Sequence, residues 1–340
     1  IYMNRVLPNA VKIAFTGTPL MQKKPKENKR DIVPARDTYE KFGPEIDRYT
    51  LQDAIDDKVT VPIVYEGRVI PQKVTSEQIN SHLKYITVGL TEEAKKDLEI
   101  KYSRFVALAQ TEARLNMIAF DLHEHFINYV KPKGFKAMLT CASRAEAVQI
   151  FYKLRDLGGV TPAVVITPNS GREGDDENNT PQTEKIIGEF FRKEVDPLFK
   201  NNYDAYEDSV TGRFIDPEGD VDLLIVKDKL LTGFDAPIAA VLYVDKKLKD
   251  HTLLQAIARV NRVYPDKDFG LVVDYMGIFK KLNSALDLYS DEQSGMNLFN
   301  RSEIQSAISS VSEEKQKLEK VHQELWKIFK GIAPNESSAN

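Results

Sequence analysis

Val221-Asp-Leu-Leu-Ile-Val-Lys-Asp228, then Lys-Leu-Leu-Thr232-Gly233-Phe234-Asp235-Ala-Pro237, then Ile-Ala-Ala-Val-Leu-Tyr-Val244, is the stretch that decides the fold. It reads as an apolar strand, a loop holding glycine, carboxylate and proline, and a second apolar strand. Neither strand alternates polar with apolar residues, so both faces of each are expected to be covered. Outward from this stretch the same pattern repeats. Apolar strands read at 135–140, 162–166 and 269–275, and helical patterns at 144–157, 182–192 and 251–260. Strands alternating with amphipathic helices predict an α/β fold with a mainly parallel sheet flanked by helices.

Farther upstream, residues 46–58 read as a short helix and 61–65 as a strand. From 91 to 129 the apolar residues Leu98, Tyr102, Phe105, Leu108, Leu115, Ile118, Leu122 and Phe126 recur mostly at three- and four-residue steps, which predicts helices with one apolar face. Val11 to Phe15 reads as a strand closed by Thr16-Gly17-Thr18-Pro19, and 21–45 as a charged linker. Residues 169–181 are acidic and turn-rich, the pattern of a surface loop. After residue 281 an apolar stripe through Ile304, Ile308, Val311, Leu318, Val321, Leu325 and Ile328 predicts a helical region, followed by a frayed tail at 334–340. The expected divisions are 1–45, 46–280 with a helical insertion near 91–130, and 281–340.

Composition excludes several classes. Of 340 residues, 42% are hydrophobic and 29% charged, which is ordinary for a globular protein. No apolar run is long enough to span a bilayer, so no membrane role is expected. A single cysteine, Cys141, rules out an intramolecular disulfide framework and fits a reducing cytoplasm. A net charge of −4 argues against binding nucleic acid by bulk charge, though not against a locally basic groove. Ile1 is not an initiator methionine and begins no signal-peptide pattern, so the chain reads as a piece excised from a longer one.

Two stretches carry chemistry. The loop, and the arginine segment one strand later, are expected at the carboxyl edge of the sheet, where open α/β sheets bind ligands; there Gly233 allows close backbone approach to a phosphate or a positive φ, and Asp235 could accept from a ribose hydroxyl or order a metal-bound water. Alone, this loop is read as structural. Gln255, Arg259 and Arg262 then follow at spacings of four and three, so a helix running to 260 could present them on one side. Two guanidiniums match the spread charge of a transferring phosphoryl group. The bland alternative is a pair of surface ion-pairing arginines. Ser143-x-x-Glu146 reads as a capping box opening the helix at 144. His123-Glu-His125 is read as an ordinary histidine pair, because residues two apart on a helix point in different directions. Asp97, Glu99 and Lys101 have nuclease-like spacing but lie in a helical pattern, and are set aside.

Together these stretches resemble superfamily 2 helicases and translocases. Asp228, Gly233, Asp235 and Pro237 match that family's motif V. Gln255, Arg259 and Arg262 match motif VI, Thr16-Gly17-Thr18-Pro19 resembles motif III, and the strand ending at Thr140-Cys141 sits where motif IV belongs. Within the superfamily, residues 42–68 (FGPEIDRYTLQDAIDDKVTVPIVYEGR), 231–237 and 254–263 resemble the restriction (R) subunit of type I restriction enzymes. The resemblance runs over roughly residues 1–290. It implies the second RecA-like lobe of an ATP-driven motor that translocates double-stranded DNA before cleavage, partnered by modification and specificity subunits. By resemblance the catalytic residues are Arg259, Arg262 and Gln255, the nucleotide-binding residues Gly233 and Asp235, the DNA contacts Thr232 and Thr140, and the coupling motif Thr16, Gly17 and Thr18. No residue here is expected to bind a metal. The implied cofactors are ATP and Mg²⁺, held mainly by a first lobe, because the sequence contains neither a G-x-x-x-x-G-K-[ST] loop nor an Asp-Glu box. The chain alone is therefore expected to be inactive. The alternatives are a lobe of another superfamily 2 motor, or a non-catalytic docking module.

Overall fold

A computed structural model describes residues 9–11, 13, 46–47, 49, 51–70, 91, 95, 113–168, 180–248, 250–278 and 308–329. The expected coupling motif Thr16, Gly17 and Thr18, the linker at 21–45, the acidic stretch 169–179 and the decoy at 97–101 lie outside the described residues.

Among the described residues seven strands form one sheet: β1 Ile63–Gly67, β2 Lys136–Cys141, β3 Pro162–Val165, β4 Leu223–Val226, β5 Ala239–Asp245, β6 Gly270–Asp274 and β7 Ile308–Ser310. Their order is β3-β4-β2-β5-β6-β1-β7, and every pairing is parallel. The helices are α1 Leu51–Asp56, α2 Ala113–His125, α3 Arg144–Leu157, α4 Pro181–Phe190, α5 Asp196–Phe199, α6 Tyr203–Ile215, α7 Asp250–Ile257 and α8 Val311–Phe329. This is the parallel α/β architecture flanked by helices that the alternation of strands and helices predicts.

The strands carry apolar residues on both faces because each face is covered. On one, Ala137, Leu139, Ile225, Val241 and Tyr243 pack against Ile118, Leu122, Val148, Phe151, Leu154 and Phe190 from α2, α3 and α4. On the other, Met138, Leu224, Val226, Leu242 and Val272 pack against Val210, Phe214, Leu253, Ala256 and Ile257 from α6 and α7. Residues one apart on a strand thus serve opposite cores. α2 falls within the stretch expected to be a helical insertion, yet it is buried over most of its length as a cover for the first face.

Local chemistry fixes the element ends. Ser143 caps α3: its hydroxyl accepts from Glu146 N at 3.1 Å, and the Glu146 carboxylate accepts from Ser143 N at 3.1 Å. Lys136 Nζ donates to the carbonyls of Arg213, Asp216 and Gly219 at 3.0, 2.7 and 2.9 Å. A cation there satisfies the carbonyls left over at the end of α6.

Besides α6, for which no helix was expected, two further elements differ from the sequence reading. Residues 308–310, expected to be helical, form β7 and pair with β1; the helix begins at Val311. α7 ends at Ile257 rather than continuing to 260. Arg259 N and Val260 N bond three residues back, to Ala256 O and Ile257 O at 3.1 and 3.0 Å, a tightened turn after which the chain runs extended.

Candidate functional site

The loop between β4 and β5 carries Asp228, Thr232, Gly233, Asp235 and Pro237. It starts at the carboxyl end of β4 and must reach the amino end of β5, so it crosses the α6–α7 face, burying Leu231 and Ala236 on the way. Gly233 has φ 75°, the left-handed backbone that its lack of a Cβ permits, and a Cβ there would meet no atom within 4 Å. Conformation, rather than space, therefore favours glycine. Thr232, Gly233 and Asp235 are exposed.

Arg259 reaches this loop. Its guanidinium donates to Phe234 O through one terminal nitrogen and to Gln255 O through Nε at 3.2 Å. Arg262 Nε lies 3.4 Å from Asp235 Oδ1. The two arginines and the glycine–aspartate loop are thus brought together, but not by the helix face that their spacing suggested. Arg259 sits in the turn after α7. Arg262 lies beyond the helix, bridged antiparallel to Thr60, while Val61 N donates to Asn261 O at 2.8 Å. The site also lies elsewhere on the sheet than expected. Thr60 and Val61 lead into β1, and Gly270, the first residue of β6, donates to Pro62 O at 2.9 Å. Arg262 is therefore beside the amino ends of β1 and β6, not the carboxyl ends where open α/β sheets usually bind ligands.

The electrostatics leave an excess of positive charge. Burial lowers the Arg259 pKa, the nearby Arg262 lowers it further, and Asp235 opposes them. Asp235 is 65% exposed and Arg262 43% exposed, so their ion pair is solvated and weak. The Arg259 guanidinium, disfavoured by burial and by the neighbouring Arg262 and lying near a solvated carboxylate, suits an added anion. Gln255 is partly buried and contributes its carbonyl to Arg259.

Thr140 must be corrected. It is fully buried, and its hydroxyl donates to Lys227 O at 2.9 Å, so a DNA phosphate has no access to it. The histidine pair separates as its spacing predicts. His123 Nε2 lies 2.9 Å from Gly158 O, and His125 Nδ1 2.6 Å from Tyr243 Oη. Among the described residues no three or more His, Cys, Asp or Glu stand together in a way that could hold a metal ion. No helix among them is long and apolar enough to cross a membrane.

Sequence reasoning missed the basic residues that hold the loop. Lys246 pairs with Asp228 at its start. Lys267 donates to Pro237 O and Ala239 O at its end, at 2.9 and 2.7 Å. Neither belongs to a periodic pattern, and Lys267, set between two aspartates, reads as part of a polar turn.

The model of type I restriction enzyme subunit R domain 3 matches residues 133–277, which include the loop, both arginines and β2 to β6. The chain resembles a fragment of the type I restriction enzyme R subunit. The SWI2/SNF2 ATPase model matches residues 1–96. Over 295 residues the chain is 32% identical to the type I restriction enzyme HindI endonuclease subunit of Haemophilus influenzae, covering 85% of this chain and 25% of that protein. It is 33% identical over 332 residues to a Methanocaldococcus jannaschii protein described as a type I restriction enzyme MjaIXP endonuclease subunit, covering 97% of this chain and 28% of that protein. The chain thus spans between a quarter and a third of these R-subunit relatives. A solved fragment of an HsdR subunit of a type I restriction enzyme from Vibrio vulnificus YJ016 is similar over 81% of this chain and 41% of its own, at 17% identity and a TM-score of 0.40. The ATP-dependent type ISP enzyme LlaBIII, solved bound to DNA, is similar over 76% of this chain and 15% of its own, at 14% identity and a TM-score of 0.37.

Proposed function

We propose that this chain is the second RecA-like lobe of the ATP-driven motor in a type I restriction enzyme R subunit, and that the intact enzyme couples ATP hydrolysis to translocation of double-stranded DNA before cleavage. The observation that carries this reading is the convergence of Arg259 and Arg262 on the Gly233–Asp235 loop, half-exposed and with one solvated carboxylate between them. Such a pair accepts a polyphosphate without having to break a buried ion pair first.

ATP, when bound, supplies the phosphoanhydride whose cleavage drives the motor, and the two guanidiniums fit its charge. In this reading Arg262 exchanges Asp235 for a phosphate oxygen, a swap made cheap by the long, exposed contact. Arg259 keeps its bonds to Phe234 O and Gln255 O, which hold its plane fixed while its remaining donors face the phosphate. Gln255 sets Arg259 through its own carbonyl. Gly233 leaves the loop open to close approach, and Asp235, once released, is free to meet a ribose hydroxyl. Mg²⁺ would be held mainly by a first lobe. Thr232, exposed on the same loop, remains the candidate DNA phosphate contact. Partner modification and specificity subunits and a cytoplasmic location complete the proposal.

A triplex-displacement assay on the whole R subunit, assembled with its partner subunits, tests the function. ATP-dependent displacement of a third strand far from the recognition site is expected. Cleavage without any displacement would contradict the translocase reading.

A further inference from the structure

Lys267 is buried, with 5% of its surface exposed, in a turn where its own N donates to Tyr264 O at 3.2 Å and Asp266 adopts φ 59°. The turn directs the ammonium inward. Nζ donates to Pro237 O and Ala239 O, and burial alone brings its pKa down to about 7. A cation drawn into the interior with no carboxylate partner among the described residues is costly, and an apolar side chain would fill that space more cheaply. What the ammonium gains is a grip on two carbonyls at the exit of the Gly233–Asp235 loop.

The neighbouring carbonyls of this exit are also occupied. Phe234 O accepts from Arg259, Ala236 O accepts from Ala239 N at 2.9 Å, and Ile238 O accepts from Lys136 N at 3.2 Å. Lys267 and Arg259 belong to one stretch of chain, the one that runs from α7 into β6. They grip the loop three residues apart, so loop and arginines are held as one body.

We infer that Lys267 is a positioning residue that fixes the Gly233–Asp235 loop against Arg259 and Arg262. The inference rests on the reading of these arginines as the phosphate-facing pair. Removing the ammonium frees the loop exit while the arginines stay, so geometry at the reacting phosphate degrades but nucleotide affinity does not. Small misplacements of this kind cost on the order of tenfold to a hundredfold in rate.

The test compares Lys267→Met, Lys267→Gln and Lys267→Arg with Arg259→Ala in the whole R subunit, measuring kcat and KM for DNA-stimulated ATP hydrolysis per folded molecule. Folding is followed by thermal melting. Lys267→Met is expected to lower kcat at least about tenfold with KM within about twofold, and Lys267→Arg to recover most of the loss. Lys267→Gln keeps an N–H donor, falls between the two, and is read in the same way if Lys267→Met does not fold. Asp235→Asn combined with Lys267→Met is expected to be non-additive, because both act through one loop. A folded Lys267→Met or Lys267→Gln with unchanged kcat overturns the inference if Arg259→Ala abolishes turnover. If Arg259→Ala also leaves turnover unchanged, the arginine reading itself has failed, and this inference with it.

Discussion

His125 lies on α2 with Nδ1 against the Tyr243 hydroxyl, and burial lowers its pKa from 6.5 to about 4. The unfolded chain takes up a proton near pH 6.5, whereas the folded chain resists until about pH 4. Stability is therefore predicted to fall as the pH drops through this window, by at most about 3 kcal/mol from this residue. Chemical denaturation between pH 7 and 4 should show a shallower loss for His125→Asn than for the wild type; parallel curves would contradict the assignment. Arg114 belongs to the same scale. It is buried, donates to Asp245 through both terminal nitrogens, and reaches Ile70 O with Nε at 3.3 Å. Removing it strands the Asp245 carboxylate, whose pKa burial already raises. Arg114→Ala is expected to cost about 3–5 kcal/mol in denaturant titration, and a loss under about 1 kcal/mol would show the pair to be dispensable.

At the scale of elements, Gly270 opens β6 directly beneath the arginine turn. A Cβ there would lie 2.3 Å from Val260 O, a backbone atom that cannot rotate away. Gly270→Ala is therefore predicted to shift the Arg259–Arg262 segment and to cost about 1–3 kcal/mol, read by thermal melting. An unchanged melt would mean that the turn yields freely. Here the limits of sequence reading also become clear. α3 was legible because its capping box and apolar face agree. α6 was not, because Gly212 and scattered polar residues blur its period, and only Val210 and Phe214 are fully buried along it. β7 was hidden because its three residues fall inside a helical stripe, and what makes them a strand is a neighbour, β1, more than 240 residues earlier in the chain. The end of α7 was missed because helical spacing continues through Arg262, while the chain itself turns aside to pair with Thr60.

For the molecule as a whole, motif spacing singled out residues that the fold does bring together, but not where on the sheet they meet. The loop and the arginines were expected at the carboxyl edge of the sheet. They meet instead near its amino ends, because the connection from β4 to β5 crosses the face beneath α7 and the segment after α7 runs back to β1. Thr140 failed as a DNA contact for a related reason: its strand is central in the sheet and its hydroxyl is used internally. On the proposed reading the site is half of a cleft, and this has a whole-molecule consequence. The sequence holds no phosphate loop, so the chain by itself is predicted to show no DNA-stimulated ATP hydrolysis; Mg²⁺-dependent turnover above background would refute that. The most direct measurement of the central claim is kcat for DNA-stimulated ATP hydrolysis in the whole R subunit carrying Arg259→Ala or Arg262→Ala, alongside equilibrium ATP binding. A fall of about a thousandfold or more with binding retained is predicted for Arg259→Ala. A wild-type rate in both variants would contradict the account.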